Sequence, residues 1–83
     1  MNDEELKLIQ DKIYFYYKEK QAIHVELKNN QFYNGFIQTF SADFFMIQEM
    51  MLGVMPIFYK EINIIEPYVK RKEEERKWNV ESV

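Results

Sequence analysis

At Ala22 the apolar residues of this chain change their spacing. Upstream, Leu6, Ile9, Ile13 and Tyr16 or Tyr17 fall three or four positions apart, which predicts an amphipathic helix from Asn2 to about Lys18. Downstream, Ile23, Val25 and Leu27 alternate with His24, Glu26 and Lys28, the pattern of a strand with one buried face. One element cannot serve both periods, so the chain divides near residue 20. The expected organisation is a single domain, 1–83, made of a helix over 1–19, a β unit over 22–68 and a charged extension over 69–83.

The punctuation between apolar runs sets the strand count. Asn2 is placed to cap the helix, with Glu5 three positions on in a capping box and acids leading the lysines, although Tyr14–Tyr17 also has strand character. Asn29-Asn30 tolerates positive φ and predicts a two-residue hairpin into a second strand, Gln31 to about Phe40. Gly35 inside that strand marks a sharp bend or the close approach of another backbone, and is read as a bend. After it Phe40 rather than Thr39 is the next inward residue, a slip of one in parity. Ser41-Ala42-Asp43 makes the next turn and Phe44–Met50 a third strand; Met51–Val54 is a hairpin connection. Pro56 is expected to open a fourth strand that ends at Tyr59. Lys60-Glu61 breaks it, and Ile62–Glu66 is the fifth. Five short strands so closely spaced predict a mainly β, small five-stranded barrel with an N-terminal helix. Beyond it, Lys70 to Lys77 can extend as a solvated helix through i,i+4 pairs, with Trp78 its lone apolar anchor and Asn79–Val83 frayed.

An 83-residue chain buries little more than roughly 60% of its unfolded surface, so its core must be dense. Seven Phe, six Tyr and one Trp allow that. The lack of Cys removes disulfides and thiolate zinc sites, leaving packing within or between subunits to stabilise the fold. No apolar run approaches membrane-span length, and the acidic start is the wrong sign for a signal peptide. The expected location is therefore intracellular, in the cytoplasm or, in a eukaryote, the nucleus.

Chemistry-bearing constellations are sparse. His24 is the sole histidine and has no Cys or second His to share a metal; Ser41 has no His near it in sequence. Glu26, Asp43, Glu49, Glu61 and Glu66 are scattered over different elements, and two glycines cannot make a phosphate loop. The expectation is no enzyme, no metal and no cofactor. A net charge of −3 lacks the broad positive field of a phosphate-backbone binder. Met46, Met50, Met51 and Met55 gather with Leu52 around one hairpin, a candidate adaptable surface for a protein partner if it projects.

The order helix then five strands, with Leu27-Lys28-Asn29-Asn30 followed five residues later by Gly35, resembles the Sm-like family. The first motif of that family reads hydrophobic-x-Leu-x-Asn-Gly, a second glycine five residues on, a hydrophobic residue, then Phe-Asp. Val25, Leu27, Asn29, Gly35, Ile37 and Phe40 occupy the matching places, and Asn30 replaces the turn glycine. The second motif keeps its hydrophobic frame in the segment from Ile57 to Ile65. The uridine pocket does not carry over. Where the family has Asp, Asn and Arg-Gly, this chain has Ser41, Phe45, Phe58 and Tyr59.

The resemblance implies a strongly bent antiparallel sheet under the helix, the fourth strand of one subunit pairing with the fifth of the next, and a homo-oligomeric ring linked to RNA metabolism. The residues expected at that interface are Ile57, Phe58, Tyr59, Ile62, Ile64 and Ile65. Unpaired edges bearing them lack the lysines and inward charges that block association. The resulting expectation is a non-enzymatic scaffold or adaptor. The alternative is a divergent RNA binder that stacks bases on Phe45, Phe58 and Tyr59 and holds phosphates with Lys70, Arg71 and Lys72. Charge opposes it, since residues 22–69 hold two bases, Lys28 and Lys60, against five acids.

Overall fold

The computed structural model describes residues 2–69. The charged segment Lys70–Lys77, with Lys70, Arg71 and Lys72, and the Trp78 anchor lie outside the described residues.

Helix α1 spans Asp3–Lys18. Its start is the expected capping box: the Asn2 side chain accepts from the Glu5 N–H at 2.8 Å and the Glu5 carboxylate accepts from the Asn2 N–H at 3.4 Å. Its end is set by Lys20 at φ 53°, which lets the Gln21 N–H reach back to the Tyr16 carbonyl. The aromatic run at Tyr14–Tyr17 is helical. Ile13 faces the core while Tyr14 and Tyr17 meet Phe40 edge-on, at 6.0 and 5.2 Å.

The strands are β1 (Ile23–Leu27), β2 (Phe32–Phe40), β3 (Phe44–Glu49), β4 (Gly53–Phe58) and β5 (Ile62–Pro67), with a 3-10 turn at Tyr59–Glu61. They form one antiparallel sheet in the order β4-β3-β2-β1-β5. The β1–β2 turn, closed by the Leu27–Gln31 bond, spans three residues, Lys28, Asn29 and Asn30, rather than the expected two. The Asn30 N–H donates to the Leu27 carbonyl and the Leu27 N–H to the Gln31 carbonyl, and only Asn30 takes positive φ, 73°. This is a type I turn closed by one left-handed residue, the place where asparagine best replaces glycine.

Three further details depart from or refine the sequence expectations. Gly35 marks a close approach of another backbone: a Cβ there would collide with the Gln48 carbonyl oxygen and stand 2.9 Å from the Glu49 Cα. The parity slip lies two residues later, where Ile37 pairs with Ile47 but Thr39 pairs with Met46, so Gln38 is bulged out; Phe40 is not the inward residue expected but is 41% exposed and meets the helix aromatics. Pro56 does not open β4 but sits inside it, opposite Met46. An edge strand tolerates this because its outward donors have no partner among the described residues. β4 also ends at Phe58, one residue earlier than expected, since Tyr59 begins the 3-10 turn.

Ile13, Ile23, Val25, Ile37, Phe45, Ile47, Ile57, Tyr59, Ile62 and Ile65 make the core, with Phe45 and Tyr59 stacked at 6.3 Å between ring centres. The Gln10 side chain donates to the Ala42 carbonyl at 3.0 Å and ties α1 to the β2–β3 turn.

Candidate functional site

β4 and β5 are the two ends of the sheet, and neither has a second partner strand among the described residues. Which backbone groups each exposes follows from the bonds it makes inward. The Tyr59 N–H donates to the Asp43 carbonyl, so odd-numbered residues of β4 point at β3 and Val54, Pro56 and Phe58 point at the open edge. Likewise the Tyr68 N–H donates to the Ala22 carbonyl, so Glu66 and Ile64 point at β1, and Asn63, Ile65 and Pro67 point outward. Each edge lacks one donor, at Pro56 and at Pro67.

Of the six side chains expected at the assembly interface, four are core residues. Ile57, Tyr59, Ile62 and Ile65 are buried because the inner face of each edge strand closes the hydrophobic core, whereas Phe58 is 45% exposed and Ile64 40% exposed. Of these four, Ile65 turns its backbone groups to the open edge, whereas those of Ile57 and Tyr59 face β3 and the β2–β3 turn. Burial also corrects the stacking set. Phe45 is fully buried and Tyr59 is 1% exposed, so neither ring has a face free for a base, and Phe58 alone remains available. The Tyr59 hydroxyl donates to the Ser41 carbonyl at 2.7 Å, and burial, with the Asp43 charge, pushes its pKa up to about 12. It is a fixed donor that locks the β2–β3 turn to the 3-10 turn.

Two concavities flank these edges. One, of about 450 Å³, is lined by Leu6, Asp43, Phe58, Tyr59 and Lys60. It joins one lysine and one exposed aromatic ring beside an acid, and sequence spacing did not single out Lys60 or Asp43. The other, of about 660 Å³, lies on the outer face beside β5 and includes His24, Glu26, Asn34 and Glu66. His24 Nδ1 is 2.6 Å from the Asn34 side-chain oxygen and Nε2 is 3.0 Å from a Glu26 carboxylate oxygen. Both ring nitrogens thus face acceptors, which only the doubly protonated ring satisfies. Burial works against that charge, yet the hydrogen bonds to Glu26 and Asn34 and the charges of Glu26 and Glu66 outweigh it and hold the pKa above its ordinary 6.5. The cross-strand pair His24 with Glu66 arises from the β1–β5 register. Ser41, just beyond β2, is not among the residues that line the cleft around His24. Among the described residues no three His, Cys, Asp or Glu side chains gather as metal ligands.

The Met-rich hairpin projects. Met50, Met51 and Leu52 are exposed, while Met46 and Met55 are half-buried and Met55 packs on the core. Its shape is held from below by Glu49, a buried carboxylate that accepts from the N–H groups of Met51 at 2.7 Å, Leu52 at 2.9 Å and Asn34 at 3.1 Å. Those three bonds, in that order of effect Asn34, Met51 and Leu52, outweigh burial and hold its pKa below the usual 4.5. A lowered folded pKa adds stability that is complete above the unfolded value and is lost as pH falls through the folded one. His24 has the opposite sign: its contribution is complete below about 6.5 and is lost as pH rises through its raised folded pKa. Stability should therefore fall on both sides of a plateau between about pH 4.5 and 6.5. Glu49→Gln should cost about 2 kcal/mol at neutral pH and flatten the acid limb, as read by urea melts across pH; an acid limb as steep in the variant would show that Glu49 does not carry it.

No helix among the described residues is long and apolar enough to cross a membrane. No family model and no curated protein matches the sequence. The fold does match: a solved structure of the pleiotropic translational regulator Hfq superposes with a TM-score of 0.61, covering 69% of this chain and 95% of that one at 17% identity. The helix followed by five antiparallel strands is the Sm-like fold.

Proposed function

We propose that this chain is a non-enzymatic module that assembles with copies of itself, β4 of one against β5 of the next, and serves as a scaffold or adaptor in RNA-linked regulation inside the cell. The observation that carries the reading is the pair of open edges with exposed Val54 and Phe58 on one and exposed Ile64 on the other. In an antiparallel pair, residues that exchange hydrogen bonds share a face. Docking β4 on a neighbouring β5 therefore brings Val54, Pro56 and Phe58 to the face of Asn63, Ile65 and Pro67, and exposed apolar area meets an apolar core margin. A head-to-tail contact of this kind closes into a ring when its rotation permits. The regulatory setting is supported by the fold shared with a translational regulator.

The second reading, direct RNA binding, is favoured by one observation: the concavity that joins Lys60 to the exposed ring of Phe58. In this reading Lys70, Arg71 and Lys72 would hold phosphates. Light-scattering mass and a titration with single-stranded oligoribonucleotides at two salt concentrations separate the readings. The scaffold reading expects a mass of several chains and no appreciable binding at physiological salt. Affinity that falls steeply with salt would favour the RNA binder, and a single-chain mass would overturn the assembly.

A further inference from the structure

We propose that the β3–β4 tip of one copy, Met50 to Leu52, seats in the outer cleft beside β5 of the next, so that neighbours are keyed together at that end of the sheet as well as paired along their edges. The inference rests on the edge-to-edge reading and deepens it by naming a second surface that each contact uses.

Chain direction brings the two features together. In an antiparallel pair of edges, the Gly53 end of β4 lies at the Pro67 end of the neighbouring β5. The residues just before Gly53 are the tip. Those just after Pro67 are Tyr68 and Val69, which form one wall of the cleft. The juxtaposition survives a shift of register by a residue or two, because it depends on which ends meet.

The tip has the properties of an insert. Met50, Met51 and Leu52 are three consecutive exposed apolar residues, with Met51 91% exposed, a run that seeks cover on a soluble protein. Glu49 grips the N–H groups of Met51 and Leu52, and Gly53 turns the chain at φ 88°, so the tip is already shaped and loses little freedom on docking. The Glu49 charge is directed inward at those donors, and the three tip side chains are uncharged. The cleft offers the counterpart: about 660 Å³, with Phe32 and Val69 exposed in its lining. Its carboxylates, Glu26 and Glu66, repel a phosphate chain, whereas thioethers adapt to an irregular wall without a charge penalty.

The cysteine-free sequence makes the test direct. Met51→Cys and Val69→Cys, both at exposed positions, are made as separate full-length variants, co-expressed and mildly oxidised. The expected result is a disulfide-linked pair from the mixture and none from either variant alone. Light scattering is run on the same samples. A mass of several chains without the linked pair overturns the seat and leaves edge pairing standing; a single-chain mass overturns edge pairing and the seat with it. A linked pair of equal yield when Leu8→Cys, exposed on the helix, replaces Met51→Cys would mean random collision and would also overturn the seat.

Discussion

Gly35→Ala should cost at least about 3 kcal/mol and lower the melting temperature by more than about 12 °C. The added methyl has nowhere to go. Its nearest neighbours are backbone atoms of β3, the Gln48 carbonyl and the Glu49 Cα, and backbone in a paired strand cannot swing aside as a side-chain tip can. Relief requires β2 and β3 to part at the row where Gly35 faces Glu49, which also carries the Asn34 N–H bond to the Glu49 carboxylate. A domain of this size has a total stability of about 4–12 kcal/mol, so the loss takes a large share. Gly53→Ala is the natural comparison: open space surrounds that position, and only its φ of 88° is unfavourable, about 1 kcal/mol. Thermal melts followed by circular dichroism read both. Equal melting points for the two variants would mean that the strands are not packed this closely.

The same residue shows where sequence reasoning reached its limit. A glycine inside an alternating strand announces that something unusual happens there, but a bend and a close approach leave the same local trace, and the close approach is visible only once Gln48 is in place. Period and caps are local, and there the reading held: the Asn2–Glu5 box, the start of β1 at Ile23 and the parity slip before Phe40 all follow from residues within a few positions of one another, whereas the Asn29-Asn30 turn closes one residue wider than expected. Pro56 misled because its tolerance in β4 depends on that strand being at an edge, a property of sheet order that no local pattern carries.

The candidate site was less legible for the same reason. An apolar residue in an edge strand can face the core or the rim, and the family resemblance with its open strand edges set all of Ile57, Phe58, Tyr59, Ile62, Ile64 and Ile65 at the rim. The 3-10 turn at Tyr59–Glu61 and the bulge beside Leu27 reset the parity, leaving Phe58 and Ile64 outward and the other four in the core. The outer cleft was invisible because it forms between β1 and β5, nearly forty residues apart, where His24 meets Glu66 across the ladder. The projection of the Met-rich hairpin, by contrast, was anticipated as a condition for a partner surface, and Met50, Met51 and Leu52 meet it.

Phe58→Lys combined with Ile64→Lys should convert the assembly to single folded chains over the micromolar range. Each contact between copies uses one Phe58 and one Ile64. Both keep roughly half their surface exposed in the isolated chain, so covering the remainder contributes about 1 kcal/mol apiece, and a lysine at each place adds a cost for burying its ammonium. A loss of about 2–3 kcal/mol per contact weakens association roughly 30- to 160-fold. The fold itself should survive. Phe58 lies outside the core, and residue 64 stands opposite Glu26 on β1, where a lysine meets an opposite charge. Pro56→Val probes the same edge in the other direction: it restores the missing outward N–H of β4, and one added ladder bond of about 1 kcal/mol should tighten association several-fold. Light scattering across a dilution series reads both variants, with circular dichroism to establish that the double variant remains folded. A folded double variant with the mass of the unaltered protein would remove β4 and β5 from the interface altogether.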